Sequence, residues 1–169
     1  MIKKVIWAVV FILIAALLQS TVFSRLALHI YAAPDLALCI LVYSAYVNGT
    51  MTGQLTGFFS GLLIDFLSIA PLGLNALVRT LIGAAAGFMK GTFFLDVFFL
   101  PMALCAGATA AKAFAFFLLH LFFSEAVPAY NFLGPVFWVE LGLNTLLAPF
   151  LFAFLKLFES LLVGRREEA

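Results

Sequence analysis

The stretch Gly57–Arg79, GFFSGLLIDFLSIAPLGLNALVR, is apolar enough to lie in a membrane, yet it contains an aspartate, an asparagine, an arginine and a proline. Pro71, Leu72 and Gly73 are typical of a tight turn, and the apolar runs on both sides of them have helical length. The stretch therefore predicts two helices, at about 51–69 and 74–89, that fold back on each other as a hairpin.

The composition of the whole chain also indicates a membrane protein. Of its 169 residues, 66% are hydrophobic, 10% are charged and 21 are phenylalanine. A soluble domain of this size has too little interior to bury so much apolar surface, so the bilayer must be the solvent. Because a span needs about 20 apolar residues, five or six helices fill the chain and leave no room for a soluble catalytic or nucleic-acid-binding domain. We predict an all-α, polytopic integral membrane protein, a six-helix transmembrane bundle that forms one domain over 1–169, with spans at about 5–23, 34–48, 51–69, 74–89, 97–123 and 136–158.

The N-terminal segment MIKKVIWAVVFILIAALLQS is compatible with two interpretations. Its basic start and apolar run are features of a signal peptide, but no clear small-x-small cleavage site follows them. Because five more apolar segments come after it, we interpret it as a retained first span.

Lysines and arginines near the ends of the spans predict the orientation in the membrane. If both termini are cytoplasmic, the outer side holds only Arg25, whereas six basic residues lie on the cytoplasmic side. These are Lys3, Lys4, Lys90, Lys156, Arg165 and Arg166. We therefore expect a multi-pass protein with both termini in the cytoplasm.

Small residues recur every four positions in the hairpin. A row of glycines on the third span continues to Asp65, and a matching row on the fourth span begins with Asn75 and Arg79. Small residues at this spacing let two helix backbones approach closely, which drives helix association in lipid. Folding the chain at Leu72 predicts that Asp65 meets Arg79, Gly61 meets Gly83 and Gly57 meets Gly87.

The charges of the hairpin have two interpretations. An isolated charge in hydrocarbon is costly, and Asp65 and Arg79 can avoid that cost by pairing across the hairpin, with Asn75 as a further hydrogen-bond donor. Such a pair would be structural. The alternative is a binding site, because ionisable groups inside a membrane are candidates for function.

Three further polar residues are predicted in the outer half of the bundle. Glu140 and Asn144 are one turn apart on the sixth span, and Lys112 lies near the middle of the fifth, from which its long stem can reach outward. Glu140 and Lys112, together with Asp65 and Arg79, make a set of four charged residues with two charges of each sign. This balance favours a buried network over an ion pathway, since a proton relay would need an acid without a basic partner.

The sequence contains no motif for catalysis or for a cofactor. His29 and His120 are too few for a metal site, and Cys39 and Cys105 lie in apolar runs that indicate packing residues. A Ser-His-Asp arrangement, a phosphate-binding glycine loop and an HExxH motif are all absent from the sequence. We therefore expect no catalytic residue, no cofactor and no metal ion.

Two segments resemble the bacterial rod shape-determining protein MreD family. They are PDLALCILVYSAY (Pro34–Tyr46) and GFFSGLLIDFLSIAPLGLNALVRTLIGAAAG (Gly57–Gly87), and the resemblance covers Pro34 to Gly91. It rests on the order Gly-x3-Gly-x3-Asp, then Pro-Leu-Gly, then Asn-Ala-Leu. The resemblance implies a non-enzymatic protein of the bacterial inner membrane, with a fold similar to the membrane subunit of energy-coupling-factor vitamin transporters.

The resemblance also implies partners. MreD-like proteins work with the bitopic protein MreC and help couple MreB filaments to the peptidoglycan polymerase RodA and its penicillin-binding transpeptidase. We therefore expect a scaffold that presents a helix surface to the MreC transmembrane helix and binds no nucleic acid.

Two alternatives stay open at this point. The first is the substrate-binding subunit of an energy-coupling-factor vitamin transporter, which would use the outer polar cluster as its pocket. The second is an intramembrane enzyme or lipid transporter, although the sequence offers it no unpaired nucleophile, base or metal set.

Overall fold

The computed structural model of the protein describes residues 1–23, 33–68, 71–91, 98–125, 127, 131 and 134–162. Four residues used above, Arg25, His29, Arg165 and Arg166, lie outside the described residues. Within the described ranges, all regular secondary structure is helical.

A helix occupies each of the six predicted segments. The first, α1 (Ile2–Leu18), continues as the π-helical segment Gln19–Phe23. The others are α2 (Leu36–Asn48), α3 (Thr50–Leu67), α4 (Leu74–Phe88), α5 (Phe99–Phe122) and α6 (Pro135–Lys156), and a short α7 (Glu159–Leu162) follows.

Three helices in the described part of the chain are long and apolar enough to cross a membrane. They are Ile2–Thr21, Phe99–Phe122 and Pro135–Lys156. The shorter apolar helices α2 and α4 have 13 and 15 residues. Large apolar side chains cover the outside of the bundle, as shown by Phe88 at 82% exposed and Phe122 at 76%. Such a surface suits contact with acyl chains, because contiguous exposed apolar surface of this kind is unusual in water-soluble monomers.

Helix α2 is the centre of the bundle. All nine residues from Ala37 to Ala45 are buried, and the helix contacts α1, α3, α4, α5 and α6. Its core neighbours include Ile12 of α1, Val78 of α4 and Cys105 of α5. A helix that is apolar on every side has to be buried on every side, which accounts for the central position of this short helix.

Helices α3 and α4 form a close hairpin lined by glycine. A Cβ atom added at Gly53 would collide with the backbone of Gly83, and one added at Gly57 would collide with the backbone of Arg79. A Cβ atom added at Gly61 would lie 2.5 Å from Cα of Ala76. The two backbones therefore touch directly, as the row of small residues predicted.

The predicted register of this hairpin is wrong. Gly53 contacts Gly83 and Gly57 contacts Arg79, and the midpoint in sequence of both pairs is residue 68, the C-cap of α3. The prediction placed this midpoint at Leu72. Because the chain turns at the end of α3, two residues at equal sequence distance from Leu72 do not face each other across the hairpin. The predicted pairs Gly61–Gly83 and Gly57–Gly87 are consequently replaced, and Gly87 packs against Thr50 instead.

Candidate functional site

Asp35 begins the central helix and is its N-cap. Its Oδ1 accepts a hydrogen bond from the backbone N–H of Leu38 at 2.9 Å, so it satisfies one of the donors that a helix start leaves unpaired. The residue is only 8% exposed. The start of α2 therefore places a carboxylate inside the bundle, where cations from other helices can reach it.

Two cations meet at Asp35. Nη2 of Arg79, on α4, donates to both carboxylate oxygens of Asp35 at 3.1 Å. Nζ of Lys112, on α5, donates to Oδ2 of Asp35 at 2.9 Å and also to Oε1 of Glu140 on α6. We call Asp35, Arg79, Lys112 and Glu140 the charge cluster. It joins four helices and contains two charges of each sign, which is the balance that a buried ionic network requires.

Asn144 connects the charge cluster to the surrounding backbone. It is fully buried, and its Oδ1 accepts a hydrogen bond from the backbone N–H of Asp35 at 2.7 Å. Its Nδ2 donates to Oγ1 of Thr109 at 2.9 Å, and that hydroxyl donates to the carbonyl of Cys105 at 2.8 Å. These bonds position α2 against α5 and α6.

Asp65 lies outside the charge cluster, so its predicted pairing with Arg79 is wrong. Asp65 as a whole residue is 1% exposed. Its carboxylate accepts hydrogen bonds from the backbone N–H groups of Gly73, Asn75 and Ala76 at 2.9, 3.0 and 3.1 Å, and from Nδ2 of Asn75 at 2.9 Å. These backbone groups open α4, where N–H groups lack partners within the helix and the helix dipole favours a negative charge. Neutral donors therefore take the role predicted for the arginine.

The other predicted site residues fall into three groups. The first group lies around Asp35 and consists of Arg79, Lys112, Glu140 and Asn144. Asn75 donates a hydrogen bond to Asp65, as expected. Pro71 and Leu72 are exposed at the turn, and Gly73 has a φ of 94°, a conformation that favours glycine. The remaining four line the hairpin: Gly57, Gly61, Gly83 and Gly87.

Asp35 is not among the predicted site residues, although the sequence places it at the start of the second predicted span, about 34–48. With Asp35 included, the outer half of the predicted bundle contains three acidic residues, Asp35, Asp65 and Glu140. It contains only two basic residues to pair with them, Arg79 and Lys112. One acid then has to be satisfied without a cation, and a helix start is the place where neutral donors are available.

The histidines do not add a metal centre to the described part of the protein. No group of three or more His, Cys, Asp and Glu side chains within it could hold a metal ion. Nδ1 of His120 lies 2.7 Å from the carbonyl oxygen of Val127, which makes it a local contact at the end of α5.

The chain matches one known protein family over most of its length. A family model described as rod shape-determining protein MreD matches residues 1–158. The chain belongs to the MreD family. The resemblance noted between Pro34 and Gly91 is thus confirmed, and it extends over nearly the whole chain. No curated protein and no solved structure matches the chain.

Membership of the MreD family implies a role in determining rod cell shape. Together with the long apolar helices, it identifies a membrane protein from a family of shape-determining structural proteins. The comparisons do not support the vitamin-transporter alternative.

Proposed function

We propose that this MreD-family protein is a non-enzymatic, six-span scaffold of the bacterial cytoplasmic membrane that holds the transmembrane helix of MreC. Through MreC it would connect MreB filaments with RodA and its penicillin-binding transpeptidase. The family match supports the role in cell shape. The charge cluster supports a scaffold, because its ion pairs bind four helices of the same chain to one another.

A groove of small residues on α4 and α5 carries the proposed contact with the partner helix. Ala103, Gly107 and Ala111 recur every four residues on the exposed face of α5, beside the exposed Ala85 of α4. They line a cavity of about 210 Å³, and a Cβ atom added at Gly107 would meet nothing within 4 Å. We call this the small-residue groove. In lipid, helices associate by close packing of small residues, since apolar burial alone gives no advantage over acyl chains.

A second groove, between α1 and α3, is less suited to a partner helix. Its volume is about 520 Å³ and its lining is entirely apolar, with large side chains such as Phe59, Leu62 and Phe66. Large side chains keep a second backbone at a distance, so this groove suits acyl chains better than a closely packed helix.

Replacing Gly107 with leucine tests the partner contact. The leucine would fill the small-residue groove and should reduce the MreC that co-purifies in detergent by about tenfold, which corresponds to about 1.4 kcal/mol. Gly142→Leu is the matched control, because Gly142 is an exposed helical glycine of α6 that also has open space around it. Equal recovery of MreC with both variants would exclude the small-residue groove as the contact.

Loss of the protein tests the cellular role. Depletion in a rod-shaped host should produce wide or round cells with misplaced wall synthesis, because MreC would no longer be held in the membrane complex. Complementation by the Gly142→Leu variant should restore rods, and rods that persist after complete loss of the protein would contradict the proposed role.

The proposed topology follows from the basic residues at the helix ends, such as Lys3, Lys4 and Lys156. A reporter that is active only in the periplasm, fused after Ala169, should give no signal if both termini are cytoplasmic. The same reporter inserted after Leu72 should be active, and the opposite pair of results would reverse the orientation.

A further inference from the structure

The small-residue groove starts next to the charge cluster and extends away from it. On α4, Ile82 is the first groove residue and follows Arg79 by less than one helical turn. On α5, Ala111 is the last groove residue and directly precedes Lys112. The two helices therefore run antiparallel along the groove, with the charge cluster at one end of it.

Asp35 connects the two walls of the groove at this end. Its two carboxylate oxygens accept hydrogen bonds from Nη2 of Arg79 at 3.1 Å, and Oδ2 also accepts one from Nζ of Lys112 at 2.9 Å. One carboxylate of α2 thus binds α4 and α5 at the same time. At the opposite end of the groove the chain itself connects the two helices, because α5 follows α4 in the sequence.

Side chains that face the groove do little to fix the distance between α4 and α5. The exposed ones are alanines and Gly107, and a cavity of about 210 Å³ remains between the helices. The buried ones, such as Ile82 and Leu104, belong to the apolar core around α2. In lipid, apolar burial has little advantage over contact with acyl chains, whereas charge-assisted hydrogen bonds at low dielectric are strong and directional. The charge cluster is therefore the contact best suited to fix this distance.

The distance matters because a partner helix in the groove has to touch both walls at once. Association through small residues depends on close approach of the backbones. A gap of about 0.5–1 Å already loses about a quarter to a half of the dispersion attraction between two atoms. In a wider groove the partner helix could pack closely on α4 or on α5, but not on both.

We propose that Asp35 is a positioning residue for the MreC helix: by binding Arg79 and Lys112 together, it sets the width of the small-residue groove next to the charge cluster. The inference rests on the proposed function, because it takes this groove as the partner contact. It goes further by giving the charge cluster, none of whose residues lines the groove, control over partner affinity.

Distances between pairs of spin labels measure the groove width in the purified full-length protein in detergent. The near pair, Leu77→Cys with Phe114→Cys, reports the end next to the charge cluster. The far pair, Phe88→Cys with Phe99→Cys, reports the opposite end. All four replaced side chains are at least half exposed, and the two native cysteines, which are buried, are replaced by alanine.

Asp35→Asn removes the negative charge that binds both cations. The near-pair distance should increase by about 2 Å, which is a typical shift of a helix at an interface, while the far-pair distance stays the same. The amount of MreC that co-purifies with each mole of folded protein should fall about fivefold, the lower end of typical coupling between sites.

Asp65→Asn is the matched control. Asp65 is also a buried aspartate, but it bonds the start of α4 and lies outside the charge cluster. Its replacement weakens the hairpin without cutting the connection between α4 and α5. Both label distances and the recovery of MreC per folded protein should therefore match those of the unmodified protein.

A charge-balanced variant decides if Asp35→Asn does not fold. Lys112→Met combined with Glu140→Gln removes one charge of each sign and leaves Asp35 and Arg79 as a neutral pair. Exchanging buried ion pairs for apolar groups of similar volume is often neutral for stability. Because this variant detaches α5 from Asp35, the near-pair distance should again increase and MreC recovery should fall.

Three results would overturn the inference while the MreC contact stands. They are an unchanged near-pair distance in the folded variants of the charge cluster, a longer distance with normal recovery of MreC, and an equal loss of MreC in Asp65→Asn. Failure of the proposed function has a different signature, which is equal recovery of MreC from Gly107→Leu and Gly142→Leu. That result would overturn the inference together with the proposed contact, whatever the label distances are.

Discussion

Two buried aspartates in this protein are satisfied in different ways. Asp35 bonds the side-chain cations of Arg79 and Lys112, whereas Asp65 bonds four neutral N–H groups at and near the start of α4. A helix N-terminus can therefore replace a cation as the partner of a buried carboxylate, because its unpaired donors and its dipole both favour negative charge. A charge within an apolar segment is thus no proof of an opposite charge next to it.

The hydrogen bonds around these two aspartates also differ in the sequence separation of the residues that they join. Asp65 reaches its partners within 8 to 11 residues of the chain, inside one hairpin. The bonds of the charge cluster join residues that are 28, 44 and 77 positions apart. The hairpin can therefore form from its own residues, whereas the cluster requires α2, α4, α5 and α6 to be assembled first.

The largest expected effect is in the hairpin, where two backbones touch. Gly61→Leu should abolish the folded protein, because even a Cβ atom at Gly61 would lie 2.5 Å from Cα of Ala76. The yield of monodisperse protein in detergent measures this effect. The control Gly142→Leu, where the structure has open space, should be recovered normally. Normal accumulation of the Gly61→Leu protein would refute direct backbone contact between α3 and α4.

A smaller effect is expected when each aspartate is changed to asparagine. Asp35→Asn leaves two buried cations with Glu140 alone and should lower the free energy of unfolding by about 3–5 kcal/mol. Asp65→Asn retains an acceptor oxygen for neutral donors, so its cost should be about 1–3 kcal/mol. Reversible denaturation in mixed micelles measures both. The reverse order of the two losses would mean that Asp65, rather than Asp35, is the main partner of a cation.

The smallest expected effect is the energy of coupling between residue pairs. In double-mutant cycles with alanine, Asp35 and Arg79 should couple by about 0.5–3 kcal/mol, and Asp65 and Arg79 should be additive to within about 0.5 kcal/mol. The free energies of unfolding of the single and double variants give both values. Strong coupling of Asp65 with Arg79 would restore the ion pair that the hairpin pattern first predicted.

Features that depend on neighbouring residues could be predicted from the sequence. Apolar runs identified the positions of helices α1 to α6, because an apolar segment in lipid has to satisfy its backbone N–H and C=O groups internally, as a helix does. The glycines at every fourth position identified the close hairpin, because this spacing places small residues on one helix face. The resemblance to the family rested on two glycines and Asp65, then Pro71–Gly73, then Asn75–Leu77. The match over residues 1–158 confirms the family.

The tertiary structure alone decided the register of the hairpin and the partner of Arg79. The register depends on where the chain turns, and a contact centred on residue 68 rather than on Leu72 moves Asp65 to the start of α4. The partner of Arg79 depends on the packing of α2, which brings an aspartate 44 residues away within 3.1 Å. Local patterns could not choose among three acids for two bases, because an ion pair is determined by distance in the folded bundle and not by separation along the chain.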